Sequence, residues 1–224
     1  MRSCTFLRSF VFIIFFYLFV SANVNISFAQ AYAESNEKFE IKHELFQIAS
    51  SVGSQMPLFS LGILSFAFDE PINGAFPRSD FLNALNNMNI FHFAVLSVAV
   101  AGLVLPFDSY TALAVLESFV VSAAITGVVK FLVGRARPYV SDSPYTFKFF
   151  STDEAYQSFP SGHSALSWAI FTPVAKKFGE FWYSIPTLFA LQRLWSNNHW
   201  FSDVYYGSLI GYTTGVVFYD SKSQ

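Results

Sequence analysis

The sequence predicts an all-α protein, a helical bundle of about six helices with its candidate functional residues at one end and a signal segment at its N-terminus. Apolar runs of helical length alternate with clusters of Gly, Pro, Asp, Asn and Ser, which are typical of turns. No stretch shows the strict apolar–polar alternation of a half-buried strand. Hydrophobic residues make up 53% of the chain and charged residues only 12%, which favours broad apolar helix surfaces.

Residues 1–31 have the pattern of an export signal. Arg2 and Arg8 precede an apolar run from Phe10 to Val20, and a small-x-small cleavage pattern follows at Ala29-Gln30-Ala31. We therefore expect a signal peptide. An uncleaved signal anchor is the alternative, because further apolar residues extend the run almost to the length that spans a bilayer.

The rest of the chain is expected to form one domain. Residues 32–46 are polar and charged and are expected to be an exposed, partly helical lead-in, whereas 47–224 has the length of a single domain. Turn residues cluster at 69–74, and the longest connection that is not apolar covers 139–159. Helices are predicted at 47–68, 91–105, 111–133, 163–178, 181–195 and 204–219.

The pattern leaves open whether these helices lie in lipid. Segment 111–133 is apolar around its whole circumference apart from Glu117 and Lys130, whereas a soluble helix normally keeps a polar stripe. Other segments, such as 91–105, are shorter than a span and favour a compact soluble bundle. Trp182, Trp195 and Trp200 are expected either at a membrane interface or in the core.

The distribution of basic residues predicts an orientation. Lys176 and Lys177, like the arginines of the signal, are expected on the cytoplasmic side. If 47–68 lies on the surface, this rule places the candidate functional residues on the outer, periplasmic face of a bacterial inner membrane. If 47–68 spans the membrane, the two lysines fall outside instead. The first arrangement obeys the rule and is preferred.

Composition and spacing argue against several classes of protein. The formal net charge of −2 gives no basic surface for nucleic acid. Cys4, the single cysteine, lies in the signal, so neither a disulfide nor thiol chemistry is expected. His43 and His92 are isolated, and no His, Cys or carboxylate cluster has the spacing of metal ligands. We therefore predict no metal and no cofactor; the oligomeric state is left open.

Three separated blocks nevertheless concentrate cations and histidines in this apolar chain. The last contains Arg193, His199 and Asp203. Four residues apart on a helical turn, His199 and Asp203 lie on one face, where the carboxylate fixes the imidazole tautomer and leaves the other ring nitrogen free to attack. Taken alone, a His-x3-Asp pair is more often an ordinary surface contact without a function.

The other two blocks lie at predicted helix ends. Ser161 is a candidate N-cap before Gly162 and His163, and free amides at a helix N-terminus bind anions. The first block, Lys130 to Pro138, ends the 111–133 helix with Lys130, Arg135 and Arg137. Cations there also suit helix capping and the dipole, and Arg135 in particular is expected to do nothing more.

The order and spacing of the blocks resemble a known signature. Lys-x6-Arg-Pro, then Pro-Ser-Gly-His, then Arg-x5-His-x3-Asp resembles the type 2 phosphatidic acid phosphatase (PAP2) superfamily, which includes membrane lipid phosphatases, bacterial acid phosphatases and vanadium haloperoxidases. The resemblance covers about residues 110–219. One position departs from it, because Gln192 precedes Arg193 where the family usually has Ser.

The resemblance implies a role for each matching residue. Lys130, Arg137 and Arg193 would bind the phosphate oxygens, together with Ser161 and Gly162. His199 would be the nucleophile, oriented by Asp203, and His163 the general acid. The implied fold is a helical bundle with the site at one end.

The implied activity is a metal-independent phosphomonoesterase that acts through a phosphohistidine. A membrane lipid phosphatase is preferred, with a phosphorylated lipid as substrate and membrane lipids as neighbours. A soluble periplasmic acid phosphatase that takes small phosphomonoesters is the alternative. A vanadate-dependent haloperoxidase and a non-catalytic anion-binding membrane component are less favoured alternatives. The sequence does not predict which phosphate ester is the substrate.

Overall fold

The structure, a computed structural model, describes residues 39–75 and 83–221. The predicted signal segment 1–31 and residues 32–38 of the lead-in lie outside the described residues. The helices are α1 (Phe39–Leu61), α2 (Asp69–Ala75), α3 (Asn83–Asn86), α4 (Ile90–Val104), α5 (Ser109–Val133), α6 (Gly162–Phe178), α7 (Ser184–Trp195) and α8 (Phe201–Asp220), with 3-10 turns at Gly62–Phe68, Glu154–Tyr156 and Glu180–Tyr183.

The predicted fold class is confirmed. Within the described ranges the chain is all-helical, and six helices have 12 residues or more. Residues before 50 form a unit of their own, in which helix is described from Phe39 onward.

The turn predicted at 69–74 is wrong. These residues form α2, with Asp69 and Glu70 in its first turn, where the helix dipole favours acidic side chains. Pro71 lies in the same turn, where a residue without an N–H costs little because the first amides of a helix have no intrahelical partner. The helix places Asp69 in the protein interior, with no exposed surface.

Helices α4 to α7 enclose the main hydrophobic core. Phe93 from α4, Val115 from α5, Ile170 from α6 and Phe189 from α7 are all buried in one cluster. Burial of such side chains contributes roughly 1.5–3 kcal/mol each to the free energy of unfolding. The core therefore fixes the relative positions of the helices that carry the candidate site.

Helix α8 packs against α6 by close contact between backbones. Glycines recur at every fourth position of α8, at Gly207, Gly211 and Gly215. A Cβ at Gly207 would lie 2.4 Å from the Ser161 carbonyl oxygen, and one at Gly211 would lie 2.1 Å from that of Ala165. The absence of side chains at these positions brings the start of α8 next to the start of α6.

Alternation of the helices brings the three sequence blocks to one end of the bundle. Helices α5 and α7 end there, and α6 and α8 begin there. At the opposite end, Lys177 pairs with Asp108 before α5, and Lys176 pairs with Asp220 at the end of α8, each at 2.6 Å. The predicted placement of the site at one end of a bundle is therefore confirmed.

The long connection after α5 is folded back on itself. Gly134 ends α5 with φ +55°, and a Cβ at that position would lie 1.7 Å from the Lys148 carbonyl oxygen, so only glycine fits. The Lys148 amide donates to the Gly134 carbonyl at 2.7 Å, and the Ala136 amide donates to that of Thr146 at 2.9 Å. These bonds hold the residues that follow α5 in place.

Two segments of the described chain are long and apolar enough to cross a membrane, Ser50–Asn73 and Ser109–Val133. Length and composition alone define them, and one or two such helices are weak evidence for a membrane protein.

Candidate active site

His199 and Asp203 lie together at the start of α8. His199 belongs to the loop before the helix and is 3% exposed, whereas Asp203 lies in the first turn and is fully buried. Asp203 Oδ2 accepts the Trp200 amide at 2.9 Å, which caps the helix, and lies 3.5 Å from His199 Nδ1. A proton on Nδ1 directed at this oxygen leaves the lone pair on Nε2.

Ser158 completes the surroundings of this pair. Its hydroxyl donates to Asp203 Oδ2 at 2.5 Å and lies 3.5 Å from His199 Nδ1. The Ser158 amide donates to the Arg135 carbonyl at 3.0 Å, which links this serine to the chain after α5. The sequence analysis missed Ser158, because a single serine in a loop rich in serine carries no signal.

Arg135 is not the helix-end cation that the sequence predicts. Its side chain is fully buried, and Nη1 donates to Asp203 Oδ1 at 2.6 Å while Nη2 donates to Asp69 Oδ2 at 2.6 Å. Nε donates to the Pro144 carbonyl at 2.7 Å. The guanidinium also lies 5.3 Å from the centroid of the Phe66 ring. Arg135 therefore joins Asp203 to α2 rather than capping α5.

Asp69 is the second carboxylate of this network. Its Oδ1 accepts the Ser202 amide at 2.7 Å, and Oδ2 accepts the Ser202 hydroxyl at 2.8 Å as well as Arg135. The sequence analysis missed Asp69 because it lies in an apparent turn cluster, far along the chain from its partners. The single available signal was a carboxylate directly after an apolar run in a chain with few charges.

The start of α6 has the geometry predicted for an anion-binding helix N-terminus. The Ser161 hydroxyl accepts the Ser164 amide at 3.5 Å, and the Ser161 amide donates to the Asp203 carbonyl at 2.9 Å. A Cβ at Gly162 would lie 3.7 Å from Lys130 Cε. Ser161 and Gly162 are therefore brought together with Lys130 and with the turn that carries Asp203.

Lys130 and Arg137 are held mainly by uncharged oxygens. Lys130 Nζ donates to the Gln157 carbonyl, and Arg137 Nε donates to the Glu154 carbonyl at 3.1 Å. Arg137 Nη2 also lies 3.4 Å from the Glu154 carboxylate, whose side chain is 84% exposed. Because that carboxylate is in solvent, it compensates the positive charge of the site only weakly.

Arg193 is buried, and none of the described carboxylates pairs with it. Its Nη1 donates to Asn86 Oδ1 at 2.7 Å and to Gln192 Oε1 at 3.2 Å, and its Nε has no hydrogen-bond partner among the described residues. Gln192, the one departure from the family pattern, thus helps to hold the guanidinium. Asn86 and Asn198 were missed by the sequence analysis; Asn198 donates to Asn86 Oδ1 at 2.9 Å.

His163 lies in the first turn of α6, next to the core. Its ring meets the edge of the Phe93 ring with centroids 5.3 Å apart. Its Nε2 is buried and has no hydrogen-bond partner among the described residues. Buried polar atoms normally have a partner, and this nitrogen is left available for one.

Burial and charge set the protonation states of these groups. Burial lowers the pKa of His199 well below its usual value; Asp203 offsets part of this effect, and the neighbouring cations Arg137, Lys130 and Arg193 add to it. Burial alone would raise the pKa of Asp203, but Arg135 and the hydrogen bonds from His199 and Ser158 lower it below the usual range. His199 is therefore neutral and Asp203 ionised near pH 7.

The cations also act on His163. Burial, followed by the charges of Arg193, Lys130 and Arg137, lowers the pKa of His163 to about 3. All three cations therefore lie within electrostatic range of both histidines. The structure thus brings together every residue that the sequence analysis assigned to the site.

Trp200 belongs to the core rather than to an interface. It is 1% exposed, and its Nε1 donates to the Ala136 carbonyl at 2.9 Å. Trp182 packs beside the main core cluster. Among the described residues, no three His, Cys, Asp or Glu side chains are grouped as metal ligands.

Comparison with known proteins agrees with the motif resemblance. A family model described as the PAP2 superfamily matches residues 111–223, just over half of the chain. No curated protein and no solved structure matches the sequence significantly. Members of the family are mostly phosphatases, and the match includes every site residue that the sequence predicts, whereas Asp69 and Asn86 precede it. The chain therefore belongs to the PAP2 superfamily.

Proposed function

We propose that this protein is a metal-independent lipid-phosphate phosphatase in which His199 forms a phosphohistidine. One observation carries the proposal: Arg193 Nε and His163 Nε2 are buried without partners among the described residues, beside an oriented and neutral His199. A neutral ligand would leave the positive charge of the site uncompensated. A phosphate provides both acceptor oxygens and negative charge.

The cations have the arrangement that phosphoryl transfer requires. Lys130, Arg137 and Arg193 come from three different elements, and among the described residues the carboxylate that pairs with them is the exposed one of Glu154, at 3.4 Å from Arg137. Charge that develops on the equatorial oxygens in the transition state would be stabilised by such preorganised donors. The amide of Gly162, at the start of α6, would add a donor from the positive end of a helix.

In the proposed reaction, the Nε2 lone pair of His199 forms a bond to phosphorus while the bond from phosphorus to the ester oxygen breaks. His163 gives its proton to the departing alkoxide, which leaves as an alcohol. Water then attacks phosphorus and returns a proton to His163, the bond to His199 breaks, and phosphate is released. Asp203 stabilises the positive imidazole ring of the intermediate.

His163 must be protonated for the first step, although its pKa without substrate is about 3. The negative charges of a phosphate bound among Lys130, Arg137 and Arg193 would offset the effect of these cations and raise that pKa. Proton uptake by His163 would therefore accompany substrate binding.

Exposed apolar surface supports a lipid substrate. Helix α5 exposes Val120, Ile125, Val128 and Phe131, so a large part of its apolar surface is not covered by the described residues. Beyond its end, the folded-back connection exposes aromatic rings: Tyr139 is 56%, Phe149 60% and Phe150 66% exposed. Phe150 contacts Phe131 with ring centroids 5.8 Å apart, so the apolar surface continues from α5 to the end that carries the site.

The exposed apolar surface supports a membrane protein whose site lies at one of the two membrane–water interfaces. Lys176 and Lys177 lie at the opposite end of the bundle, and their positive charge would place that end in the cytoplasm. The proposed location is therefore an inner membrane, with multiple spans and the site on the periplasmic face.

The test is phosphate release in buffer that contains a chelator. The panel compares a long-chain phosphatidic acid in micelles, a short-chain one and a water-soluble aryl phosphate. We expect release from the lipids with higher kcat/KM than from the aryl ester, and its loss in His199→Ala. The matched control is His92→Ala, because His92 lies in the first turn of α4 and is exposed; this variant should keep its activity.

Other outcomes would contradict parts of the proposal. Retention of activity in His199→Ala would exclude the phosphohistidine. A preference for the aryl ester, in protein released by osmotic shock without detergent, would favour a soluble periplasmic acid phosphatase.

A further inference from the structure

The charge balance around Asp203 identifies a residue that the family match does not include. Asp203 would stabilise a positive His199 ring, yet its Oδ1 is 2.6 Å from a nitrogen of Arg135. Two opposite charges in contact largely cancel at a distance, so the paired Asp203 acts on its surroundings more weakly than an unpaired carboxylate would. Arg135 is fully buried and lies 5.3 Å and 5.7 Å from the ring centroids of Phe66 and Trp200.

Asp69 restores the missing negative charge. Its Oδ2 lies 2.6 Å from the other terminal nitrogen of Arg135, and both side chains have no exposed surface. One cation is thus shared between two carboxylates, and with both of them ionised the trio Asp69–Arg135–Asp203 carries a net charge of −1. Burial raises the pKa of Asp69, and the charge of Arg135 offsets part of that effect. Without Asp69, the ion pair of Arg135 with Asp203 would be neutral.

Asp69 also fixes the direction of the guanidinium. It accepts both the amide and the hydroxyl of Ser202, the residue directly before Asp203. The Ser202 hydroxyl in turn lies 2.7 Å from Arg135 Nη1. This arrangement keeps Arg135 on Oδ1 of Asp203 and leaves Oδ2 for His199, Ser158 and the cap of α8.

We infer that Asp69 is a positioning residue for the proposed reaction, which balances the charge of Arg135 so that Asp203 keeps the net negative charge needed to stabilise a positive His199. The inference rests on the proposed function of His199. The charged groups that act on His199 are Asp203, which favours a positive ring, and Lys130, Arg137 and Arg193, which oppose it. Because the three cations oppose a positive ring, the negative charge behind Asp203 matters.

The first test is Asp69→Asn, which keeps the shape of the side chain and an oxygen for Ser202 but removes the charge. We expect kcat for phosphate release to fall about tenfold, the effect of about one pKa unit in the stability of the imidazolium. KM should change less than about twofold, because Asp69 does not contact the phosphate-binding residues. Asp108→Asn is the matched control, since it removes a 2.6 Å pairing with Lys177 at the opposite end of the bundle; it should leave kcat unchanged.

The decisive variant is the double substitution Asp69→Asn with Arg135→Gln. It removes one negative and one positive charge, so the net charge of −1 returns to Asp203 alone. We expect kcat of the double variant to exceed that of Asp69→Asn. If the trio only holds α2 in place, the second substitution should lower kcat further, and that result would overturn the inference.

In Asp69→Asn, Arg135 keeps its 2.6 Å ion pair with Asp203, so no unpaired cation is left in the interior and the single variant is expected to fold. A folded double variant as inactive as Asp203→Asn would overturn the inference. If the wild-type protein is active and Asp69→Asn is equally active, only the role of Asp69 is contradicted. Wild-type protein without phosphatase activity would contradict both the proposed function and this inference.

Discussion

At His199, the proposed nucleophile, two requirements compete. Burial at 3% exposure keeps the ring neutral and its lone pair available, but it also disfavours the positive charge that forms when the ring binds phosphorus. Asp203 resolves the conflict, because it remains ionised in the interior through Arg135, Ser158 and the amide of Trp200. All of these supporting contacts are made to the same carboxylate, that of Asp203.

The neutral His199 predicts how stability depends on pH. Its pKa is depressed in the folded protein, so below about pH 6.5 the unfolded chain binds a proton that the folded chain does not. The contribution of His199 to the free energy of unfolding is therefore constant above about pH 6.5. It decreases as the pH falls from there toward the pKa of His199 in the folded protein. The expected slope is about 1.4 kcal/mol per pH unit for this group.

The measurement is the free energy of unfolding in detergent between pH 7 and pH 5, for wild type and His199→Gln. The slope should be smaller in the variant, which has no titratable group at this position. Equal slopes would show that His199 is protonated in the folded protein and would contradict the account.

At the scale of elements, α8 connects packing with the site. Its first turn carries Asp203, and one turn later Gly207 meets the backbone of Ser161 at the start of α6. The groups proposed to bind phosphate and to orient the nucleophile are thus placed by the same helix contact. A change in the separation of the two helices should alter both stability and catalysis.

Gly207→Ala tests this contact. The added Cβ would lie 2.4 Å from the Ser161 carbonyl oxygen, so the helices must separate. We expect a loss of about 1–3 kcal/mol in the free energy of unfolding and a lower kcat/KM. In Gly102→Ala, the control in α4, nothing lies within 4 Å of the new Cβ, so stability should be equal or higher. Equal effects of the two substitutions would show that the close contact does not position the site.

Local pattern predicted most of the elements, because apolar period and turn residues are properties of short stretches. The helix ends at Gly134 and Ser161 followed from capping chemistry that is also local. Asp69 and Arg135 escaped prediction because their roles depend on a contact between residues 66 positions apart. A turn-like composition hid the first, and a plausible capping role hid the second.

In the whole molecule, compensated and uncompensated positive charges lie at opposite ends of the bundle. At one end Lys176 and Lys177 pair with carboxylates at 2.6 Å, so these cations are compensated. At the other end, Arg193 has no carboxylate partner among the described residues, and Arg137 has only the exposed one of Glu154. Uncompensated positive charge at one end of an apolar bundle is what would attract a phosphorylated lipid to that end.

The central claim is that His199 carries the phosphoryl group, and trapping of the intermediate tests it most directly. The variant His163→Ala is mixed with a 32P-labelled aryl phosphate. The aryl group leaves without a general acid, so the phosphohistidine can form, but its hydrolysis lacks the general base His163 and is slow. We expect the protein to carry a label that is stable in alkali and lost in acid, on the peptide that contains His199. The double variant His163→Ala with His199→Ala should carry no label. Label on another residue, or wild-type turnover that persists in His199→Ala, would contradict the account.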